Sequence, residues 1–187
     1  GQYWKQVMQM ASAIGVSGLR ESIEWDTIEP SSGRYLNWRG ALHFQYAKEL
    51  GMDNMLGMHV GHSSWGNVFN FPQTPEEKKM NLNFIDHLFE NYGDNIPYFE
   101  YWNEPNLFGE FNARNTSATE IVEIMKEIYP VIKKHNPETV VCGFSTAQID
   151  FPFLEEAFKA GLLDYCDSLA VHPYDWSAVN GKYDFRD

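Results

Sequence analysis

Cysteine is almost absent from this chain: Cys142 and Cys166 are the two in 187 residues. Both lie in or just before apolar, strand-like runs, where a thiol packs as a small hydrophobe, so a disulfide-stapled scaffold is excluded. Basic residues are also scarce. Lys and Arg number 14 against 26 Asp and Glu, for a formal net charge of −12. That balance leaves little to neutralise phosphates, so nucleic acid and anionic membrane are not expected partners. The expected ligand is neutral or cationic. No apolar run is long enough to cross a bilayer, and no signal-peptide pattern opens the chain, although one removed upstream is compatible with it. No glycine-rich phosphate loop follows the first predicted strand, which counts against a nucleotide-binding sheet.

Aromatic and apolar residues are plentiful instead. At 43% hydrophobic and 16% aromatic, the chain can bury the core of a single domain spanning 1–187. Its order reads as alternating helix and strand. Tyr3 to Ile14 carries apolar residues at helical spacing and stops at Gly15. A strand from Val16 to Ile23 turns polar, and a second helix runs from about Trp38 to Leu50. The run from Asn54 to Val60 is the next strand. Thr74-Pro75-Glu76-Glu77 carries three start signals for a helix that Gly93 ends. Ser117-Ala118-Thr119-Glu120 is a capping box opening another helix, which Pro130 is expected to kink or split. A strand at 140–144, a helix at 153–163 and a strand at 168–171 complete the order. Helices alternating with mostly apolar strands predict a parallel sheet buried on both faces, either a barrel or a doubly wound sheet.

The chain is organised around Tyr98-Phe99-Glu100-Tyr101-Trp102-Asn103-Glu104-Pro105-Asn106. Its aromatic half reads as a buried strand, and its polar half with Pro105 marks where the strand stops. A carboxyl group beside an amide at such a mouth is either solvated, paired, or poised for proton transfer. Other strand ends place similar groups nearby: Arg20 with Glu24 and Trp25, His59 with His62 and Trp65, Ser145, and His172 with Tyr174 and Trp176. In a parallel sheet all of these meet at one edge, where ligands bind in both candidate architectures. Indole faces with hydrogen-bonding groups suit a sugar, whose ring stacks while its hydroxyls bond. His59 and His62 lack an evident third ligand, so no metal is expected, and no cofactor is implied. The triplet Asn115-Thr116-Ser117 matches a glycosylation pattern short enough to arise by chance.

Trp102-Asn103-Glu104-Pro105 resembles the fourth-strand motif of clan A glycoside hydrolases, which are (β/α)8 barrels. Gly18-Leu19-Arg20 with Ile23-Glu24-Trp25 and Ile28-Glu29-Pro30 resembles the second strand and its loop. Gly57-Met58-His59 with Trp65 is similar to the third strand, and Leu169-Ala170-Val171-His172-Pro173-Tyr174 to the sixth. Within the clan the wording is nearest to the retaining family of β-xylosidases and α-iduronidases. The resemblance implies Glu104 as general acid/base and Asn103 as partner of the sugar's 2-hydroxyl. It implies Arg20 and Tyr174 as groups orienting the nucleophilic carboxylate, with His172 lining the same subsite. Trp25, Trp65, Trp176 and His59 are expected to complete the sugar site. A general acid needs a pKa near neutrality, which burial among aromatics can supply. Other roles stand beside these: Arg20 as a structural ion-pair partner of Glu100, and His172 as a packing residue.

A complete (β/α)8 barrel takes roughly 250 residues. By resemblance this chain holds strands two to six, so the strand bearing the nucleophile is missing. Glu24, Asp150 and Asp175 are poor substitutes, and the 187 residues alone are expected to be inactive, with open sheet edges that favour self-association. Either the protein is longer or a partner completes it. The expected substrate is a polysaccharide or oligosaccharide, a class that favours a secreted or periplasmic setting. A non-catalytic carbohydrate-binding barrel is the alternative. A Schiff-base aldolase is disfavoured, because no strand end carries a lysine.

Overall fold

The computed structural model describes residues 2–109 and 112–174. In chain order the elements are α1 (Gln2–Ala13), β1 (Arg20–Ile23), the single turn α2 (Trp25–Ile28), α3 (Ala41–Glu49), β2 (Met55–Met58), α4 (Pro75–Tyr92), β3 (Tyr98–Tyr101), α5 (Ala118–His135), β4 (Val140–Ala147), α6 (Phe151–Lys159) and β5 (Ser168–His172). The strands form one parallel sheet in the order β1-β2-β3-β4-β5. A doubly wound sheet reverses its strand order partway, and this one does not. The fold is therefore α/β of the (β/α)8 barrel type, present as five consecutive strands of the wall with their helices.

The helix side of the sheet holds the core. Phe84, Ile85, Leu88 and Phe89 of α4, with Ile121, Met125, Ile128 and Ile132 of α5, close over Leu56, Met58, Phe99 and Val141. Phe89 meets Phe99 edge-on at 5.2 Å. Each such side chain contributes roughly 1.5–3 kcal/mol on burial. The opposite side mixes apolar residues such as Met55 and Val140 with polar ones. Successive strand residues point to opposite sides, so while Phe99 and Tyr101 meet the helices, Glu100 between them points into the barrel. A register shift between Cys142 and Ser145 adds a bulge to β4. It returns Ser145 to the inner side, where its hydroxyl reaches Glu100.

Helix starts follow their sequence signals. Thr74 with Glu77 and Ser117 with Glu120 form complete capping boxes. Pro130 does not split α5, which runs through it unbroken. The proline lies on the exposed side, where the carbonyl it leaves unbonded can take water. β1 begins later than expected, at Arg20, and β4 runs three residues further, to Ala147. β1 and β5 form the sheet's two edges, and Leu169 and Val171 on the helix side of β5 stay 41% and 38% exposed. Among the described residues no helix is long and apolar enough to cross a membrane.

One ion pair ties two loops above the sheet to the start of α4. Arg114 meets Glu77 through Nη1–Oε2 at 2.6 Å and Nη2–Oε1 at 2.8 Å, and also donates to the carbonyls of Phe71 and Trp65. Hydrogen bonding from Arg114, then from the Gln73 and Thr74 amides, outweighs desolvation and holds the Glu77 carboxyl down at about 2. A depressed carboxyl stabilises the fold above its ordinary value of 4.5, and that contribution is lost as pH falls towards 2. Glu77→Gln, which keeps a capping-box acceptor, should cost about 1–2 kcal/mol at pH 7 after allowance for solvent screening. Urea melts should show the difference from wild type shrinking below pH 4.5. A pH-independent difference would contradict the assignment.

Candidate active site

The carboxyl edge of the sheet is shaped by an irregular stretch of backbone. Past β3, Trp102 takes φ 77° and Glu104 φ 50°, both left-handed. That conformation is rare for a bulky aromatic and costs about 1–3 kcal/mol. Three backbone bonds hold it: Trp102 N–H to Met58 O at 2.8 Å, Ser145 N–H to Trp102 O at 3.2 Å, and Glu104 N–H to Ser145 O at 2.8 Å. The Trp102 ring turns away into the core, with its centroid 4.0 Å from that of Phe71. The same twist carries Asn103 and Glu104 to the mouth of the barrel.

Glu104 is 5% exposed and bonds His172 Nδ1 through Oε1 at 2.5 Å. Tyr174 stands near the same carboxylate, and its phenol is pushed up first by desolvation and then by Glu104. His172 ends β5, and its ring meets that of Tyr174 edge-on at 5.7 Å. Asn103 accepts a hydrogen bond from Arg20 Nη2 at Oδ1, at 2.8 Å. Arg20 is the first residue of β1, not a group beyond its end, and its long side chain runs up the inner wall to Glu100. The geometry is that of the ion-pair reading: Arg20 pairs with Glu100, and it also bonds Asn103.

His59 lies on the same inner wall. Its Nδ1 is 2.9 Å from Ser22 Oγ, and its buried Nε2 has no partner among the described residues. The ring folds over Gly57, where any Cβ would collide with it. Desolvation, reinforced by Arg20, pulls its pKa down to about 4. His59 is therefore neutral near pH 7 and presents no charge to a ligand.

The tryptophans depart from expectation. Trp25 is fully buried; it stacks on Phe84 with centroids 4.5 Å apart and donates to Glu29 Oε2 at 2.6 Å. Trp65 is 9% exposed and packs edge-on against Trp25 at 5.0 Å. Neither leaves an open face for a sugar: Trp25 turns back onto Phe84 of α4, and Trp65 packs against Trp25. Trp176 lies outside the described residues. His62 is buried and bonded to the Glu29 carbonyl and to Ser64, so it too is structural. Among the described residues no group of three or more His, Cys, Asp or Glu could hold a metal.

Sequence reasoning missed the wall beside Glu104. A cleft of about 660 Å³ is lined by Glu104, Asn106, Leu107, Ile149, Phe151 and Tyr174, among others. Asn106 bonds both backbone groups of Ala147 and Asp150 Oδ2, acting as an extra strand partner for the end of β4. Asp150 Oδ1 caps α6 through Phe153 N–H. These polar atoms are committed within the wall, and the apolar faces are left to the cleft. The position of Asn106, two residues after Glu104, was the available signal. A second cavity, of about 250 Å³ between Phe44, Asp53, Asp94 and Glu138, lies away from these groups.

An NMR titration of the imidazole signals should find a His59 midpoint near 4. The unfolded chain takes up this proton near 6.5, so His59 should cost stability progressively as pH falls from 6.5 to 4. A midpoint at the ordinary value would contradict the buried, Arg20-facing placement.

No protein-family model matches the chain, and no curated protein sequence does. Solved structures do. A family 39 glycoside hydrolase from the gut symbiont Bacteroides cellulosilyticus WH2 superposes with TM-score 0.74 at 20% identity, over 91% of this chain and 35% of its own. A β-galactosidase from the psychrophilic Marinomonas ef1 gives 0.65 at 14% identity, over 92% of this chain and 39% of its own. A β-glucosidase gives 0.65 at 16% identity, over 90% and 55%. The chain thus spans from about a third to about half of the length of these proteins. At this level of identity the likeness concerns architecture, and the architecture shared is the (β/α) barrel of glycoside hydrolases.

Proposed function

We propose that this chain carries the acid/base half of a retaining glycoside hydrolase acting on a polysaccharide or oligosaccharide. One observation carries the reading: a nearly buried Glu104, bonded to His172 and near Tyr174, stands beside an Asn103 whose amide is fixed by Arg20. The glycosidase neighbours support it, and the motifs shared with clan A favour its β-xylosidase and α-iduronidase branch. In this mechanism a second carboxylate, supplied from outside these residues, attacks the anomeric carbon. Glu104 gives its proton to the departing glycosidic oxygen as that bond breaks. It then takes a proton from the water that hydrolyses the glycosyl-enzyme ester. His172 holds the carboxyl group toward the cleft throughout, with Tyr174 near it. Asn103 bonds the 2-hydroxyl, a contact that strengthens as the ring flattens toward an oxocarbenium ion.

A carbohydrate-binding barrel without hydrolysis is the second reading, and one observation favours it. Of the substitutes for a second carboxylate, Asp150 is committed to Asn106 and the α6 cap, Glu24 sits exposed at the start of α2, and Asp175 lies outside the described residues. Kinetics on the full-length protein separate the two. Glu104→Gln should lower turnover about 10²–10⁴-fold on substrates with poor leaving groups, the usual worth of a general acid. Activated aryl glycosides, which leave without protonation, should be cleaved at a nearly unchanged first step. Equal loss on both classes would contradict the acid/base role, and binding without any turnover by the wild type would favour the second reading.

A further inference from the structure

We infer that Glu100 is a positioning residue: a buried carboxylate that, through Arg20, holds the Asn103 amide with its oxygen inward and its nitrogen toward the cleft. The inference rests on the glycosidase reading above. Glu100 is 1% exposed, so it meets no ligand itself. Its oxygens take Arg20 Nε at 3.1 Å and Nη2 at 2.5 Å, and Ser145 Oγ donates to Oε1 at 2.9 Å. The Nη2 that binds Glu100 also donates to Asn103 Oδ1 at 2.8 Å. Nη2 has two hydrogens, and both are therefore assigned.

This sharing leaves Asn103 a single orientation. Turning its amide over would set the Nδ2 hydrogens against the guanidinium, donor facing donor. Nδ2 is thus the atom left for a ligand, and a donor there selects a sugar whose 2 position carries an oxygen acceptor. Arg20 is itself 36% exposed along its side chain, and without Glu100 it would be free to swing toward water. Ser145 joins the latch to the reacting group, because its carbonyl accepts the Glu104 N–H while its hydroxyl holds Glu100. Glutamine at position 100 would keep one acceptor and turn a donor toward the guanidinium, releasing Arg20 with little change of shape.

The test uses the full-length protein and a matched pair of aryl glycosides, one with and one without the 2-hydroxyl, built on the sugar the wild type hydrolyses fastest. Glu100→Gln should lower kcat/KM about 10–100-fold on the hydroxylated substrate and less than about threefold on the 2-deoxy one. Ser145→Ala should shift the same ratio in the same direction by about 3–10-fold, because it removes one hydrogen bond and keeps the backbone clamp. A merely structural lesion would lower both substrates alike and leave the ratio unmoved. Asn103→Ala is the reference. If it costs the same on both substrates, the 2-hydroxyl contact is absent and the inference falls with the reading beneath it. If Asn103→Ala separates the substrates while Glu100→Gln does not, the role of Glu100 alone is overturned. Ser145→Ala decides in its place should the Glu100 variant not fold.

Discussion

The pairing of Arg20 with Glu100 inside the barrel is the constraint on which the rest of this site depends. A carboxylate almost wholly removed from water costs several kcal/mol in desolvation, and it persists there only when paired and fully hydrogen-bonded. Glu100 meets both conditions through one guanidinium and one serine hydroxyl. A hydrophobic pair of similar volume would stabilise the sheet as well or better. The ion pair gives direction instead: Arg20, held by Glu100, fixes the oxygen of the Asn103 amide beside Glu104. Losing Arg20 would leave the buried Glu100 charge uncompensated, whereas losing Glu100 would leave a half-exposed Arg20 free to turn toward water.

Local strain serves the same end. Left-handed backbone at Trp102 and Glu104 is unfavourable by itself, and the bonds from Met58 and Ser145 restrain it on both sides. A bulky indole anchored under Phe71 opposes relaxation to an extended strand, which would swing the ring out of the core. The scaffold below is ordinary by comparison, with capped helices over an aromatic and aliphatic sheet face. Stability concentrated in that layer lets the carboxyl edge hold a conformation it would not adopt alone.

Much of this was legible in the amino-acid order. Alternating helix and strand patterns, with start signals at Thr74 and Ser117, implied the parallel sheet, and Asn103-Glu104 after an aromatic strand pointed to the candidate site. Glu100 was visible as a charge inside an aromatic run, although its function as a latch was not, because the bulge that turns Ser145 inward leaves no sequence signal. Tryptophan positions misled for a related reason. Trp25 and Trp65 follow their strands, but the direction in which an indole packs depends on the backbone that carries it: Trp25 turns onto Phe84 of α4 and Trp65 onto Trp25. The wall built by Asn106 and the stretch after β4 depends on contacts between loops more than forty residues apart, which periodicity does not encode.

The most direct test of this account is a crystal structure of the full-length protein with a sugar-shaped competitive inhibitor. The account predicts the inhibitor's 2-hydroxyl within roughly 3 Å of Asn103 Nδ2 and its anomeric substituent within hydrogen-bond reach of Glu104. A ligand seated away from this edge, or an Asn103 amide turned with its oxygen toward the sugar, would contradict it.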